Sequence, residues 1–391
     1  MRTIGVVTFS RADFSNCVPL LRAIQADPEL KLHLMVSGTH LSPEFGSTEK
    51  EIEADGFKVD ERIEMLLSSD TSEGMVKSVG LAMIGFADSF SHFRPDILLL
   101  VGDRFELLAA AGAALPFRIP VAHLSGGDVT EGAFDNLVRN AVSMVSALHF
   151  VAMQAHADRL VEMGEEPSRV FVTGDPALDV IREMSFLTRT ELEEHLTLRL
   201  IPPVLVVTFH PTTLGLADAA QEIEALLQAL DQVEGTVIFT SPNADPEGRD
   251  ILERIRKFIA GHSHSALFLN LGPLAYYSLL NASDLMVGNS SSGICEAPSF
   301  GLPAVNIGDR QRGRLRVGNV IDVECASEAI LSGIRKGLTK EFRRSLSGLV
   351  SPYGDGMAAP RIVSVLKSID LGPHLLRKKD SPQSSPSTQR G

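Results

Sequence analysis

Three hydroxyl side chains, a glycine and a cluster of guanidinium groups fall close together in GNSSSGICEAPSFGLPAVNIGDRQRGRLR, residues 288–316. A short apolar run, Leu285 to Gly288, leads into Ser290, Ser291 and Ser292, and the spacing predicts a helix from Gly293 to about Ser299. Free amide N–H groups at such a helix start carry roughly half a positive charge and favour an anion. The serine hydroxyls add donors, and Gly293 lets the backbone approach a ligand closely. Glu296, on the first turn, suits the dipole and can accept from the two hydroxyls of a ribose. Serines that merely cap their own helix would look the same. What tilts the reading toward a bound phosphate is Arg310, Arg312, Arg314 and Arg316, four cations in seven residues beside Gly308 and Gly313, in a chain of net charge −13.

Other polar groups gather where apolar runs stop. Ile97 to Val101 ends in Gly102-Asp103-Arg104, and Val121 to His123 runs into Ser125-Gly126-Gly127-Asp128. Asp135 follows, with Arg139 one turn further along a predicted helix from Asn136 to Val145. Val204 to Phe209 ends in His210-Pro211-Thr212-Thr213, and the first strand ends in Ser10-Arg11-Ala12-Asp13. Each has a bland alternative: Asp103 or Asp135 as a helix cap, Asp128 as a loop turn residue, His210 as a satisfied loop imidazole. One ligand site at the ends of several strands explains all of them together.

The elements that must hold these groups alternate strand and helix. Thr3 to Thr8, Leu32 to Ser37, Ile97 to Val101, Val121 to His123, Leu148 to Ala152 and Val170 to Thr173 each precede a loop and a predicted helix. After the charged region near Arg189 to Arg199 a second series begins at Val204 to Phe209, Thr236 to Thr240, Ala266 to Leu269, Leu285 to Val287 and Ala304 to Ile307. Such alternation predicts an α/β protein of two doubly wound parallel sheets, with ligands at the carboxyl ends of the strands and in the cleft between domains. The expected division is residues 1–185, 186–370 and a tail 371–391, whose part from Arg377 to Gly391 has almost no apolar content and is expected to be disordered.

Composition narrows the class. With 391 residues, 44% hydrophobic and 22% charged, this reads as an ordinary soluble globular chain. No apolar run reaches the roughly 18 to 20 residues of a membrane span, and MRTIGVVTFS reads as a first strand and not as a signal peptide, so a cytoplasmic location is expected. Cys17, Cys295 and Cys325 lack metal-ligand spacing. The acidic balance opposes nucleic-acid binding through a broad basic face.

The segments TFSRADF, SGTHLSPEFGST, GDRFE, HLSGGDVTEGAFDNLVR, VTGDPALD, FHPTT, SPNADPEGR and the serine–arginine stretch occur in this order. Over residues 3 to 365 the chain is similar to the hydrolysing UDP-N-acetylglucosamine 2-epimerases of bacterial sialic and legionaminic acid synthesis. The resemblance implies two Rossmann-like domains facing across a cleft (GT-B type), conversion of UDP-N-acetylglucosamine to N-acetylmannosamine and UDP, with UDP-N,N'-diacetylbacillosamine or another nucleotide sugar as the alternative substrate, no metal or other cofactor, and a homo-oligomer. It also implies a reaction in which a proton leaves C2 of the sugar as UDP leaves C1, after which water adds to the glycal with inversion at C2. On that basis Asp103, Asp128 and Asp135 are the acid/base carboxylates, one of them expected to have a raised pKa from crowding, and His210 aids the leaving phosphate or shuttles a proton. Arg11, Arg139 and Arg314 are expected at the diphosphate, Ser290, Ser291 and Gly293 at the nucleotide loop, Glu296 at the ribose, and Asn243 completes the substrate-binding set.

The pattern is not followed everywhere. The family continues after the Asp135 motif with Arg-His and a lysine four residues on, where this chain has Arg139-Asn140 and Met144. Asn140 cannot carry a proton at neutral pH and Met144 removes a charge. Asp128 stands where many relatives have glutamate, a change of about 1.5 Å in reach. A GT-B glycosyltransferase and a non-catalytic nucleotide-sugar binder are the competing readings; the three carboxylates argue against the first, since glycosyl transfer needs no C2 deprotonation.

Overall fold

The structure is a computed structural model and describes residues 1–378 apart from 68, 70, 212–218 and 242–247. Thr212, Thr213 and Asn243 lie outside the described residues.

The first sheet holds seven strands: β1 (Arg2–Thr8), β2 (Leu30–Ser37), β3 (Glu61–Ile63), β4 (Ile97–Val101), β5 (Val121–Leu124), β6 (Leu148–Val151) and β7 (Val170–Val172). The second holds six: β8 (Val204–Thr208), β9 (Thr236–Thr240), β10 (Ser265–Phe268), β11 (Leu285–Gly288), β12 (Ala304–Ile307) and β13 (Val320–Val323). Spatial order is β3-β2-β1-β4-β5-β6-β7 in one and β10-β9-β8-β11-β12-β13 in the other, with every pairing parallel. The protein is α/β, with two Rossmann-like sheets. Strand order reverses beside β1 and beside β8, which opens a crevice at the carboxyl ends there. The edge strands β3 and β13 escape the sequence reading because ERI and VIDV are short and carry charge, so neither forms an apolar run.

Each sheet is buried on both faces, which is why its strands read as continuous hydrophobic runs. Ile4, Val6, Leu34 and Leu99 point into one core of the first sheet, and Val7, Met35, Leu98 and Leu100 into the other. In the second sheet Leu205 and Val207 face one layer while Val204 and Val206 face the opposite one.

The expected division of the chain needs correction at its end. Helix Ala358–Ser368 places Ala358, Ile362 and Leu366 in the core of the first sheet, not the second. Asp179 holds the start of that helix by accepting from the amides of Ala358 and Ala359 at 2.8 and 2.7 Å. The segment beyond is also docked: Arg169, only 7% exposed, donates to the carbonyls of His374, Leu375 and Arg377. Lys378 reaches Glu165 and donates to the carbonyls of Ser143 and Met144 at 3.2 and 2.8 Å. The start of the supposed tail, residues 371–378, is therefore structured by buried polar contacts, which its composition does not reveal. Among the described residues no helix is long and apolar enough to cross a membrane.

Candidate active site

The two sheets turn their carboxyl ends toward a common cleft of about 570 Å³. Asp103, Asp128, Asp135, Arg139 and Arg11 line it from the first half, and His210, Ser290, Ser291, Glu296 and Arg314 from the second. Chain topology thus brings together residues more than two hundred positions apart. Gly293 is the exception: it is buried against β12, where an added Cβ would lie 3.2 Å from the Cβ of Ala304, so it serves close helix–strand packing.

The local structure decides among the bland alternatives. Asp103 caps nothing, because helix Leu107–Phe117 has Glu106 at its cap position and no side-chain cap bond. Asp135 opens helix Asp135–Val145 as its first residue, behind a cap at Phe134 that makes no side-chain bond. Asp128 does make a local contact, accepting from the amide of Val129 at 2.8 Å. Ser10 and Asp13 form a reciprocal capping box for helix Arg11–Ala26, which leaves Arg11 to face the cleft and approach Glu51 at 3.4 Å. The helix after the serines is only Ser292–Cys295, followed by a 3₁₀ turn, Ala297–Phe300, so the dipole expected there is short. Of the four clustered arginines, Arg310 and Arg314 turn into the cleft, while Arg312 meets Glu131 and Arg316 meets Asp322 outside it.

Charge in the cleft is paired across its two walls. Arg139, 1% exposed, binds the Asp103 carboxylate, the Thr130 hydroxyl at 2.8 Å and the Asp128 carbonyl at 3.0 Å. Arg314 crosses from the second half to the Asp128 carboxylate, and Arg310 approaches Asp135 at 3.7 Å. His156 places Nε2 3.4 Å from the other oxygen of Asp128. Burial alone would raise Asp103, but the guanidinium of Arg139, with Arg314 and Arg310 behind it, overrides that effect and leaves the carboxyl below its ordinary range. Burial also opposes ionisation of Asp128, and Arg314 leads the cations that reverse it. Crowding therefore does not raise these two carboxylates, because guanidinium groups separate them.

Raised carboxyls stand elsewhere in the cleft. Burial, reinforced by the facing carboxylate of Asp175, pushes Glu296 up to about 7. Asp175 is itself raised by burial. Burial, together with Arg310, holds His210 well below the usual imidazole range, so the ring is neutral at pH 7. Asp175 escaped the sequence reading although it stands just past β7, in VTGDPALD; the strand-end rule that found Asp103 points to it equally. Tyr276, which bonds the Ser292 hydroxyl at 2.6 Å, and Tyr277, which donates to Asn16 at 3.2 Å, carried no such signal because they sit inside helix Gly272–Ala282.

Two loops interlock to close the cleft. Glu131 donates its amide to the carbonyl of Arg312 at 3.1 Å. A Cβ at Gly132 would stand 2.6 Å from Cα of Arg310, and one at Gly313, where φ is +83°, 2.4 Å from Cγ1 of Val129. Ser125, with φ of 71°, holds a left-handed conformation at the cleft floor that disfavours a side chain. Of the departures on the helix after Asp135, Asn140 is absent from the described cleft lining, and Met144 is 40% exposed. The carbonyl of Met144 receives the Lys378 ammonium, so the end of the helix carrying Asp135 and Arg139 has a cation from the distant chain terminus.

Among the described residues no group of three or more His, Cys, Asp or Glu side chains is placed to hold a metal ion. The arrangement offers carboxylates, each paired with a guanidinium, on one wall of the cleft, and a second wall of hydroxyls, guanidinium groups and a carboxyl of raised pKa. That suits proton transfer at carbon next to a bound anionic group.

Comparison with known proteins agrees with this architecture. The signature of the UDP-N-acetylglucosamine 2-epimerase family matches residues 22–367. The chain is 40% identical over 373 residues to the GDP/UDP-N,N'-diacetylbacillosamine 2-epimerase (hydrolyzing) of Campylobacter jejuni, covering 95% of this chain and 96% of that protein. It is 36% identical to the UDP-N,N'-diacetylbacillosamine 2-epimerase (hydrolyzing) of Legionella pneumophila, covering 97% and 99%. Among solved structures, the UDP-GlcNAc 2-epimerase of Neisseria meningitidis bound to UDP-GlcNAc superposes with a TM-score of 0.79 at 19% identity, covering 94% of this chain and 99% of that one. Matched along almost its whole length in sequence and in fold, the chain belongs to the hydrolysing UDP-N-acetylglucosamine 2-epimerase family.

Proposed function

We propose that the protein hydrolyses and epimerises UDP-N,N'-diacetylbacillosamine, releasing UDP and the sugar inverted at C2. The observation that carries this reading is the full-length similarity, at 40% and 36% identity, to two enzymes named for that substrate. UDP-N-acetylglucosamine, giving N-acetylmannosamine, is the second reading, favoured by a 30% identical relative from Neisseria meningitidis named UDP-N-acetylglucosamine 2-epimerase. In either case Asp103, Asp128 and Asp135 form the acid/base set: a carboxylate takes the C2 proton as the C1–O bond to UDP breaks, and water then adds across the C1–C2 double bond. Reprotonation from the opposite face inverts C2. Ionised carboxylates suit proton removal, and a neutral His210 can donate to the departing phosphate. Arg11, Arg139, Asn243, Ser290, Ser291 and Arg314 are assigned to substrate, with Glu296 at the ribose.

Incubation with each nucleotide sugar in heavy water tests the reaction and the substrate together. Deuterium at C2 with free UDP, fastest for the diacetylated sugar, supports the first reading. Release of UDP without deuterium would point to hydrolysis or glycosyl transfer instead. Cytoplasmic location and homo-oligomerisation belong to the same reading. The second is supported by Val76, Ile84, Leu115 and Leu137, which are 55 to 71% exposed on three helices that pack side by side, and sedimentation tests it.

A further inference from the structure

We infer that Asn289 is the positioning residue that fixes His210 in the cleft, by extending a strand ladder with its side-chain amide, while its main-chain carbonyl holds Arg310. This rests on the proposed reading of the cleft as catalytic. β11 pairs with β8 up to Gly288 opposite Thr208, and the Asn289 amide donates to the Thr208 carbonyl at 3.2 Å. There the main chain must leave the sheet to deliver the serines. Its side chain stays behind: Oδ1 accepts from the His210 amide at 2.7 Å, and Nδ2 donates to the His210 carbonyl at 2.8 Å. A primary amide with one donor and one acceptor thus substitutes for a peptide unit, and His210 keeps a paired backbone past the end of the strand.

The main-chain carbonyl of Asn289 is used as well. It accepts from Arg310 Nη1 at 3.2 Å and from Gln311 Nε2 at 2.9 Å. One residue, 1% exposed, therefore ties together the loops leaving β8, β11 and β12. Each of those loops contributes to the cleft: His210, the serines and Arg310. Asparagine is the side chain that fits. Aspartate would aim an oxygen at the His210 carbonyl, and glutamine would overreach by about 1.5 Å.

A double-mutant cycle separates positioning from bulk stability. Asn289→Ala in the parent is expected to lower kcat on the best nucleotide sugar by roughly 10- to 100-fold. In a His210→Ala background the same change should cost less than about threefold, because its effect passes through His210. Equal losses in both backgrounds would overturn the inference. The isosteric Asn289→Asp supplies the same test if the alanine variant folds poorly. His210 imidazole titration by NMR gives a readout that does not need turnover. Freed backbone should bring His210 up toward the ordinary imidazole range, and an unchanged titration in both variants would refute the positioning role. A parent protein that releases no UDP from any nucleotide sugar would count against the proposed reaction, while the titration would still decide the role of Asn289.

Discussion

Replacing Arg139 with methionine is expected to destabilise the protein in a pH-dependent way. The guanidinium is buried and bonds Asp103, Thr130 and the Asp128 carbonyl, while methionine fills similar volume without charge. The Asp103 side chain is 30% exposed, so losing its buried cation costs about 1 to 3 kcal/mol, less than for a fully buried pair. In the parent, Asp103 lies below its ordinary range, so its ionisation favours the fold above the unfolded value of about 3.9. That contribution disappears as pH falls through the folded value. In Arg139→Met the largest opposing cation is gone and burial dominates, which moves Asp103 upward. Ionised Asp103 then works against folding at neutral pH, and the variant recovers as acid protonates it. Urea unfolding at pH 7.5 and pH 5 should show the gap between parent and variant narrowing by more than about 1 kcal/mol at the lower pH. A gap of equal size at both pH values would refute the electrostatic account and leave lost packing as the cause. UDP affinity provides a second check: with Arg139 assigned to substrate it should fall beyond about threefold, and an unchanged affinity would remove Arg139 from the diphosphate.

Asp103→Asn should abolish UDP release, by at least about 100-fold in kcat, while calorimetric UDP affinity stays within a few-fold. Glu296, pushed up to about 7, would accept from the ribose hydroxyls more strongly once ionised, so parental UDP affinity should rise between pH 6 and pH 8, and Glu296→Gln should flatten that rise relative to the parent. Gly132→Ala forces the interlocked loops apart at Arg310, and kcat/KM should fall at least about tenfold with little change in melting temperature. Arg169→Ala leaves the carbonyls of His374, Leu375 and Arg377 without their donor and should cost roughly 2 to 4 kcal/mol in urea unfolding.

Strand ends were the legible part of this chain. Asp103, Asp128 and His210 follow continuous apolar runs, and a parallel sheet places whatever follows such a run at the same edge. The sequence also exposes the serine and arginine loop, but not which arginines turn inward, since Arg312 and Arg316 differ from Arg310 and Arg314 only in the direction the loop takes. The ionisation of Asp103 and Asp128 was hidden for a related reason. Three aspartates in one cleft predict mutual repulsion, yet Arg139 and Arg314 stand between them, and contacts spanning 36 and 186 residues leave no local trace. Asn289 looks like one more polar loop residue because its work depends on the geometry at the end of β11. The Lys378 ammonium was hidden inside a run that reads as a tail.

The way the chain returns to the first sheet has a mechanical meaning. Two chain segments join the halves, one leaving past Asp175 and one re-entering past Tyr353, and they touch: Asp175 donates its amide to the Tyr353 carbonyl at 2.8 Å. Gly174 and Gly354 pack so tightly that a Cβ on Gly354 would lie 3.0 Å from Cα of Gly174. Two connections pinned at one place act as a pivot. Any swing of one half against the other would turn about this pin and grow with distance from it, so the interlocked loops at Gly132 and Gly313 and the Arg314–Asp128 pair, which join the two walls, are the contacts such a swing would have to break.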